Sequence, residues 1–239
     1  MSDNDHNRIR EQIEGDPNIS PHFKKILLNA LEKGKVLPET TTAPPIDRDN
    51  NQDLIKTLLK EADIPPRYLV EREPITIPDH FIYAQAILNN ALITPDKNQI
   101  LLYGKPGTGK STLAGKSLKF AIEKIQAVCL YTTSRDICRA LSSAWRANKP
   151  EPYDIYIEPE ILAIDELDEF WNSEFNRFFD FIQYIICKRY DNFLKTIFIT
   201  NLNKEDLKAR LGDRLFSRIT EINERLEIFC NWQSFRGEK

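Results

Sequence analysis

Gly104-Lys105-Pro106-Gly107-Thr108-Gly109-Lys110-Ser111 is the stretch on which the reading of this chain turns. It fits G-x-x-x-x-G-K-[ST] in full. The apolar run Ile100-Leu101-Leu102-Tyr103 precedes it, and the helical pattern Thr112–Lys124 follows it. That strand–loop–helix setting is the one the motif requires. Glycines let the backbone turn so that several N–H groups face one anion. The helix behind them adds its positive N-terminal end. Lys110 supplies a cation for β- and γ-phosphates, and the Ser111 hydroxyl a ligand for Mg2+. The segment from Gly104 to Thr112 is therefore read as a loop that holds ATP and Mg2+.

Beyond this loop, short apolar runs alternate with longer helical ones. Ala127–Thr132, Ile161–Ile164, Thr196–Thr200 and Leu226–Phe229 read as strands; Ser134–Asn148, Trp171–Tyr190 and Lys204–Leu211 read as helices. This alternation predicts an α/β fold with a parallel sheet covered on both faces. Ligands of such sheets sit at the carboxyl ends of the strands. The third strand delivers Asp165 and Glu166 to that edge. Asp165 is read as holding Mg2+ and Glu166 as polarising an attacking water. Phosphoryl transfer to a small molecule needs no second acid, so the pair favours ATP hydrolysis. Asn201 follows the fourth strand, where it either meets the γ-phosphate or the attacking water, or caps a turn. Arg214 and Arg218 stand four apart and share a helix face. They are either a solvated pair or hold an arginine finger for a neighbouring subunit's ATP.

The chain has 239 residues, 41% hydrophobic and 29% charged, with a net charge of −3. That length allows one full domain and a smaller one. The charge balance excludes a uniformly basic nucleic-acid coat but leaves room for a local groove. No apolar run reaches the ~18 residues of a membrane span, and the polar start Met1–Arg10 is not a secretory signal. Cys129, Cys138, Cys187 and Cys230 form no CxxC pair, and no His stands at ligand spacing. Reduced thiols in a cytoplasmic protein without zinc are the expectation. Ten of the fourteen prolines precede residue 100. Within that region His22–Lys33 has the spacing of an amphipathic helix, residues 35–50 read as a linker, and Asn51–Ala62 as a second helix closed by Pro65-Pro66. Residues 1–63 are expected to form a small helical extension for partner docking, and residues 64–239 the ATPase domain.

The ordered set Ile64-Pro65-Pro66-Arg67-Tyr68, the phosphate loop, Asp165-Glu166, Thr200-Asn201-Leu202, Leu211-Gly212-Asp213-Arg214-Leu215, Ser217-Arg218 and Asn231-Trp232-Gln233-Ser234-Phe235-Arg236 carries a narrower signal. It resembles the DnaC/DnaI-type bacterial replicative helicase loaders, a branch of the AAA+ ATPases, over about residues 64–239. The resemblance implies a P-loop NTPase of AAA+ ASCE type, with no C-terminal helical lid. It implies Walker A roles for Lys110 and Ser111 and Walker B roles for Asp165 and Glu166. By the same likeness Asn201 corresponds to sensor 1, Arg218 to the arginine finger ahead of Arg214, and Arg236 to sensor 2. The implied activity is ATP-dependent loading of the hexameric, DnaB-like replicative helicase onto single-stranded DNA. Weak hydrolysis stimulated by DNA or partner, and self-association through the ATP sites, go with it. An IstB-like transposition helper shares this ATPase core, and a nucleotide-sensing adaptor with little hydrolysis is a further reading.

Single-stranded DNA requires a positive groove with stacking platforms. The helix at 134–148 offers Arg135, Arg139 and Arg146 at i, i+4, i+11 spacing, with Trp145 beside them. Trp145 is read either as such a platform or as core. Arg177, Lys188 and Arg189 add cations to the aromatic-rich helix that follows.

Overall fold

Ile100, Leu101 and Leu102 are all fully buried, so the strand β1 (Gln99–Gly104) has protein on both of its faces. That is the condition under which parallel strands are stable. The structure is a computed structural model that describes residues 48–70, 79–95, 97–167, 176–220 and 225–235. The helix expected at 22–33, most of the 35–50 linker, and Arg236 lie outside the described residues. The chain divides into two compact units, Met1–Gln52 and Asp53–Lys239. The second holds everything that follows.

Five strands make one sheet: β1, β2 (Cys129–Thr133), β3 (Ile161–Asp165), β4 (Lys195–Ile199) and β5 (Arg225–Cys230). Their order is β2-β3-β4-β1-β5, and every pairing is parallel. Successive side chains of a strand alternate between the faces. Ile100, Leu102, Ala163, Ile197, Ile199 and Ile228 join a core with the helices α3 (Asp79–Ile93) and α4 (Lys110–Ile125). Leu101, Leu162, Ile164 and Phe198 join a second core with α5 (Ser134–Arg146), α7 (Asn176–Asp191) and α8 (Lys204–Ile219). Three shorter or peripheral elements complete the set: α1 (Arg48–Glu61), α2 (Pro66–Leu69) and α6 (Tyr153–Ile157). Among the described residues no helix is long and apolar enough to cross a membrane.

The expected α/β sheet with helices on both faces is observed, with two differences. Helix α1 begins at Arg48, inside the expected linker, and its end belongs to the body. Leu58, Ala62 and Ile64 are buried in the first core, and Tyr131 N–H donates to the Ala62 carbonyl at 2.8 Å. The segment thus covers the outer edge of β2, and the second compact unit begins at Asp53. Second, the segment before β1 folds as the helix α3, whose buried face is the stripe Phe81, Ala84, Leu88, Ala91 and Leu92. The helix expected over Lys204–Leu211 is the first limb of α8, which continues as a second limb to Ile219. Gly212, at φ 73° and ψ 160°, breaks it into two limbs, a geometry that only a residue without Cβ adopts at low cost.

Arg189 near the end of α7 is fully buried and cannot face DNA. Its guanidinium donates to the carbonyls of Tyr156, Ile157 and Pro159 at 3.1, 3.1 and 2.8 Å. It also reaches the carbonyls of Glu160 (3.4 Å) and Lys195 (2.6 Å) and the Thr196 hydroxyl (3.0 Å). Burial draws its pKa down from 12.5 to about 9, which still leaves a cation at neutral pH. One planar fork therefore ties the entries of β3 and β4 to α7, a task that a lysine's single ammonium cannot perform. Arg189→Met should orphan these acceptors and destabilise the fold by about 1–3 kcal/mol for each one left without a donor. Arg189→Lys should recover only part of this. Urea unfolding measures both; a loss below ~1 kcal/mol for the methionine variant would refute the assignment.

Candidate functional site

A phosphate loop must turn its N–H groups inward, so its carbonyls point outward and need donors. Lys110 Nζ donates to the Gly104 and Lys105 carbonyls, both at 2.7 Å, and Thr108 Oγ1 to the Lys105 carbonyl at 2.9 Å. The remaining two donors come from the tail beyond β5. Trp232 Nε1 donates to the Thr108 carbonyl at 2.8 Å, and the Phe235 N–H to the Gly107 carbonyl at 2.9 Å. Phe81 of α3 meets Trp232 and Phe235 edge-on, with centroids 6.2 and 5.4 Å apart. Gly109 caps α4 at φ 84°, and a Cβ there would stand 2.7 Å from the Phe235 ring and 3.1 Å from that of Phe81. The loop is thus wedged between the helix it starts and a clasp of three aromatic rings.

Three other strands bring their ends to the same place. Asp165 closes β3 and is buried. Its Oδ1 accepts from the Glu166 N–H at 2.8 Å, and its Oδ2 accepts from the Tyr131 hydroxyl on β2. Burial, then the Asp165 charge, drives the Tyr131 pKa far above 10. Glu166 lies at φ 56°, a left-handed conformation costing on the order of 1–3 kcal/mol outside glycine. The Ser134 hydroxyl at the start of α5 donates to its carbonyl and holds it there. After β4, the Thr200 hydroxyl accepts from Leu202 N–H at 3.1 Å, shaping the turn that carries Asn201. Asn203, not Asn201, caps α8: its Oδ1 accepts from Asp206 N–H at 2.8 Å.

These groups surround one cavity of ≈ 520 Å³, lined among others by Pro106, Gly107, Gly109, Lys110, Ser111 and Thr112 of the loop. Asp165, Glu166 and Asn201 line it too, as do Arg67, Tyr68 and Phe235. An anion fits the loop side, where the Lys110 ammonium is fixed. A hard divalent cation fits the oxygen set of Ser111 and Asp165.

The other expected residues lie elsewhere. Arg214 and Arg218 follow the break at Gly212, on the last limb of α8. Arg218 stands 4.0 Å from Asp191 and lies over the Tyr190 ring at 5.4 Å, away from the cavity lining. Arg135, Arg139 and Arg146 are exposed on α5, and Arg139 pairs with Asp136 at 3.2 Å. Trp145 is no open platform. Its ring packs on Phe178 with centroids 5.3 Å apart, and its Nε1 donates to Glu151 at 2.9 Å. Tyr131, Ser134, Phe81 and the Trp232–Phe235 clasp went unassigned. Only the aromatic spacing of the tail signalled any of them in advance.

The sequence profile of the ATPase family associated with various cellular activities (AAA) matches residues 100–223, just over half of the chain. The replicative helicase loader DnaC of Escherichia coli K12 is 27% identical over 137 residues, which cover 56% of this chain and 54% of that protein. The chain thus spans about half the length of that curated relative. The uncharacterized protein YdaV of the same strain is 27% identical over 205 residues, covering 80% of this chain and 78% of its own. In three dimensions the crystal structure of the DnaC helicase loader aligns with a TM-score of 0.54 at 23% identity, over 71% of this chain and 98% of that one. This last likeness is one of fold. Gly109→Ala should strain the loop by about 1–2 kcal/mol through its left-handed backbone alone, and by more through the Phe235 ring. Thermal melting should therefore show a smaller loss for Gly109→Ala in a Phe235→Ala background than in the wild type; equal losses would exclude the clasp.

Proposed function

Because the chain belongs to the AAA family of ATPases, we propose that it hydrolyses ATP to load a hexameric replicative helicase onto single-stranded DNA. What supports this is a single conjunction. The phosphate loop, the acidic pair and Asn201 line one cavity, in a chain whose sequence aligns over 137 residues with a protein named as a replicative helicase loader.

Each role follows from chemistry at that cavity. The loop N–H groups and Lys110 bind the phosphates, and the fixed Lys110 ammonium contributes charge without reorganising. Ser111 and Asp165 hold Mg2+, which neutralises charge on the β- and γ-phosphates. Glu166, its backbone pinned by Ser134, accepts a proton from the attacking water, and Asn201 orients that water. Arg236 reaches the nucleotide of its own subunit. Arg218 lies off the cavity lining and acts in trans, on the nucleotide of a neighbouring subunit. Repeated head-to-tail contacts of that kind generate rings or open spirals. The N-terminal segment grips the helicase, and Arg135, Arg139 and Arg146 on the exposed face of α5 meet the DNA backbone.

Two measurements test this reading. The full chain with ATP should co-purify with the hexameric replicative helicase of its own host, and a chain starting at Asp53 should not. That shortened chain keeps the second compact unit whole. Failure of the full chain to capture the helicase would refute the loader reading and leave the ATPase standing. The second measurement concerns Arg218. Arg218→Ala subunits keep an intact cavity, and Glu166→Gln subunits keep an intact finger. Each alone should lose hydrolysis by on the order of 10³-fold where the finger is the main catalytic group, and less where basal turnover is weak. Mixed, they should regain activity. No recovery from two folded, ATP-binding variants would rule out the trans role, and Arg214 would be next.

A further inference from the structure

Asp165 closes β3, and a side chain from the neighbouring strand sets the orientation of its carboxylate. Tyr131 stands on β2 beside β3, in a register that pairs Tyr131 with Ala163 and Thr133 with Asp165. Its ring is buried at 2% exposure and leans on Tyr68 with centroids 5.6 Å apart. Its hydroxyl donates to Asp165 Oδ2. The other carboxylate oxygen, Oδ1, takes the Glu166 N–H. Both oxygens of Asp165 therefore carry a protein donor, and its rotamer is set on both sides.

We propose that Tyr131 is a positioning residue for Mg2+: its hydroxyl holds the Asp165 carboxylate in the orientation the ion requires. The inference rests on the reading of the cavity as a Mg2+–nucleotide site and adds to it a residue outside the loop and the acidic pair. Magnesium demands near-ideal octahedral geometry, so loosely held ligands cost it affinity. Groups that orient metal ligands are typically worth 10–100-fold in metal affinity. A role limited to filling space would reside in the ring, which phenylalanine keeps.

The test is Tyr131→Phe, read by calorimetric binding of a non-hydrolysable ATP analogue, once with Mg2+ and once with EDTA. The variant should melt close to the wild type and bind the analogue equally well in EDTA. With Mg2+ its affinity should fall about tenfold. In an Asp165→Asn background the same substitution should have no further effect, because the ligand it orients is already lost. Unchanged affinity with Mg2+ overturns the proposal, as does an equal loss in both media or a full tenfold loss in the Asp165→Asn background. A wild-type chain that binds the analogue no better with Mg2+ than with EDTA overturns the reading of the cavity instead.

Discussion

A peptide loop that surrounds an anion with N–H groups has to do something with its carbonyl oxygens, and the rest of this structure follows from how that need is met. The carbonyls of Gly104, Lys105, Gly107 and Thr108 all accept hydrogen bonds from protein donors. Two of the donors are local, the side chains of Lys110 and Thr108. The other two, Trp232 and Phe235, lie more than a hundred residues downstream. Left unpaired in a buried setting, such carbonyls cost about 1–3 kcal/mol each. The final strand and its tail are therefore as much a part of the phosphate site as the motif itself.

The same logic runs through the acidic side of the cavity. Glu166 adopts a left-handed backbone that its own side chain disfavours, and Ser134 offsets the cost from the start of another helix. Tyr131 is held by Tyr68 on one side and by Asp165 on the other, and its own N–H binds the Ala62 carbonyl. The segment after α1 thus reaches the acidic pair through a single intermediary.

The motif, the alternation of strands and helices, and the acidic pair were all legible in the sequence, because each is a local pattern with a local cause. Asn201 was placed at the right strand end, and its alternative role as a helix cap falls to Asn203. What escaped is long-range. Trp145 and Arg189 look like nucleic-acid contacts by residue type, yet Trp145 packs on Phe178. Arg189 disappears into backbone carbonyls whose convergence no spacing announces. Helix α3 carries a regular apolar stripe but follows the proline-rich stretch, which draws the eye to breaks. The end of α1 read as part of an extension because a short amphipathic helix does not reveal what it covers. Here it is the free edge of β2.

Strand β5 closes the sheet with Leu226, Ile228 and Cys230 on one face and Arg225, Glu227 and Phe229 on the other. Glu227 pairs there with Lys204 of α8 and with Arg225, while Phe229 stacks on Tyr103. A shift of one residue would exchange the two sets, so the alternation locks the strand in place. Gly104 and Cys230 are partners in that pairing, and the tail leaves the sheet immediately afterwards. The pattern of charged and apolar side chains along β5 thus acts as a ruler that fixes how far the chain has travelled when Trp232 and Phe235 arrive at the loop. Length changes inside this strand would be felt as faults in nucleotide binding, although no residue of β5 lines the cavity.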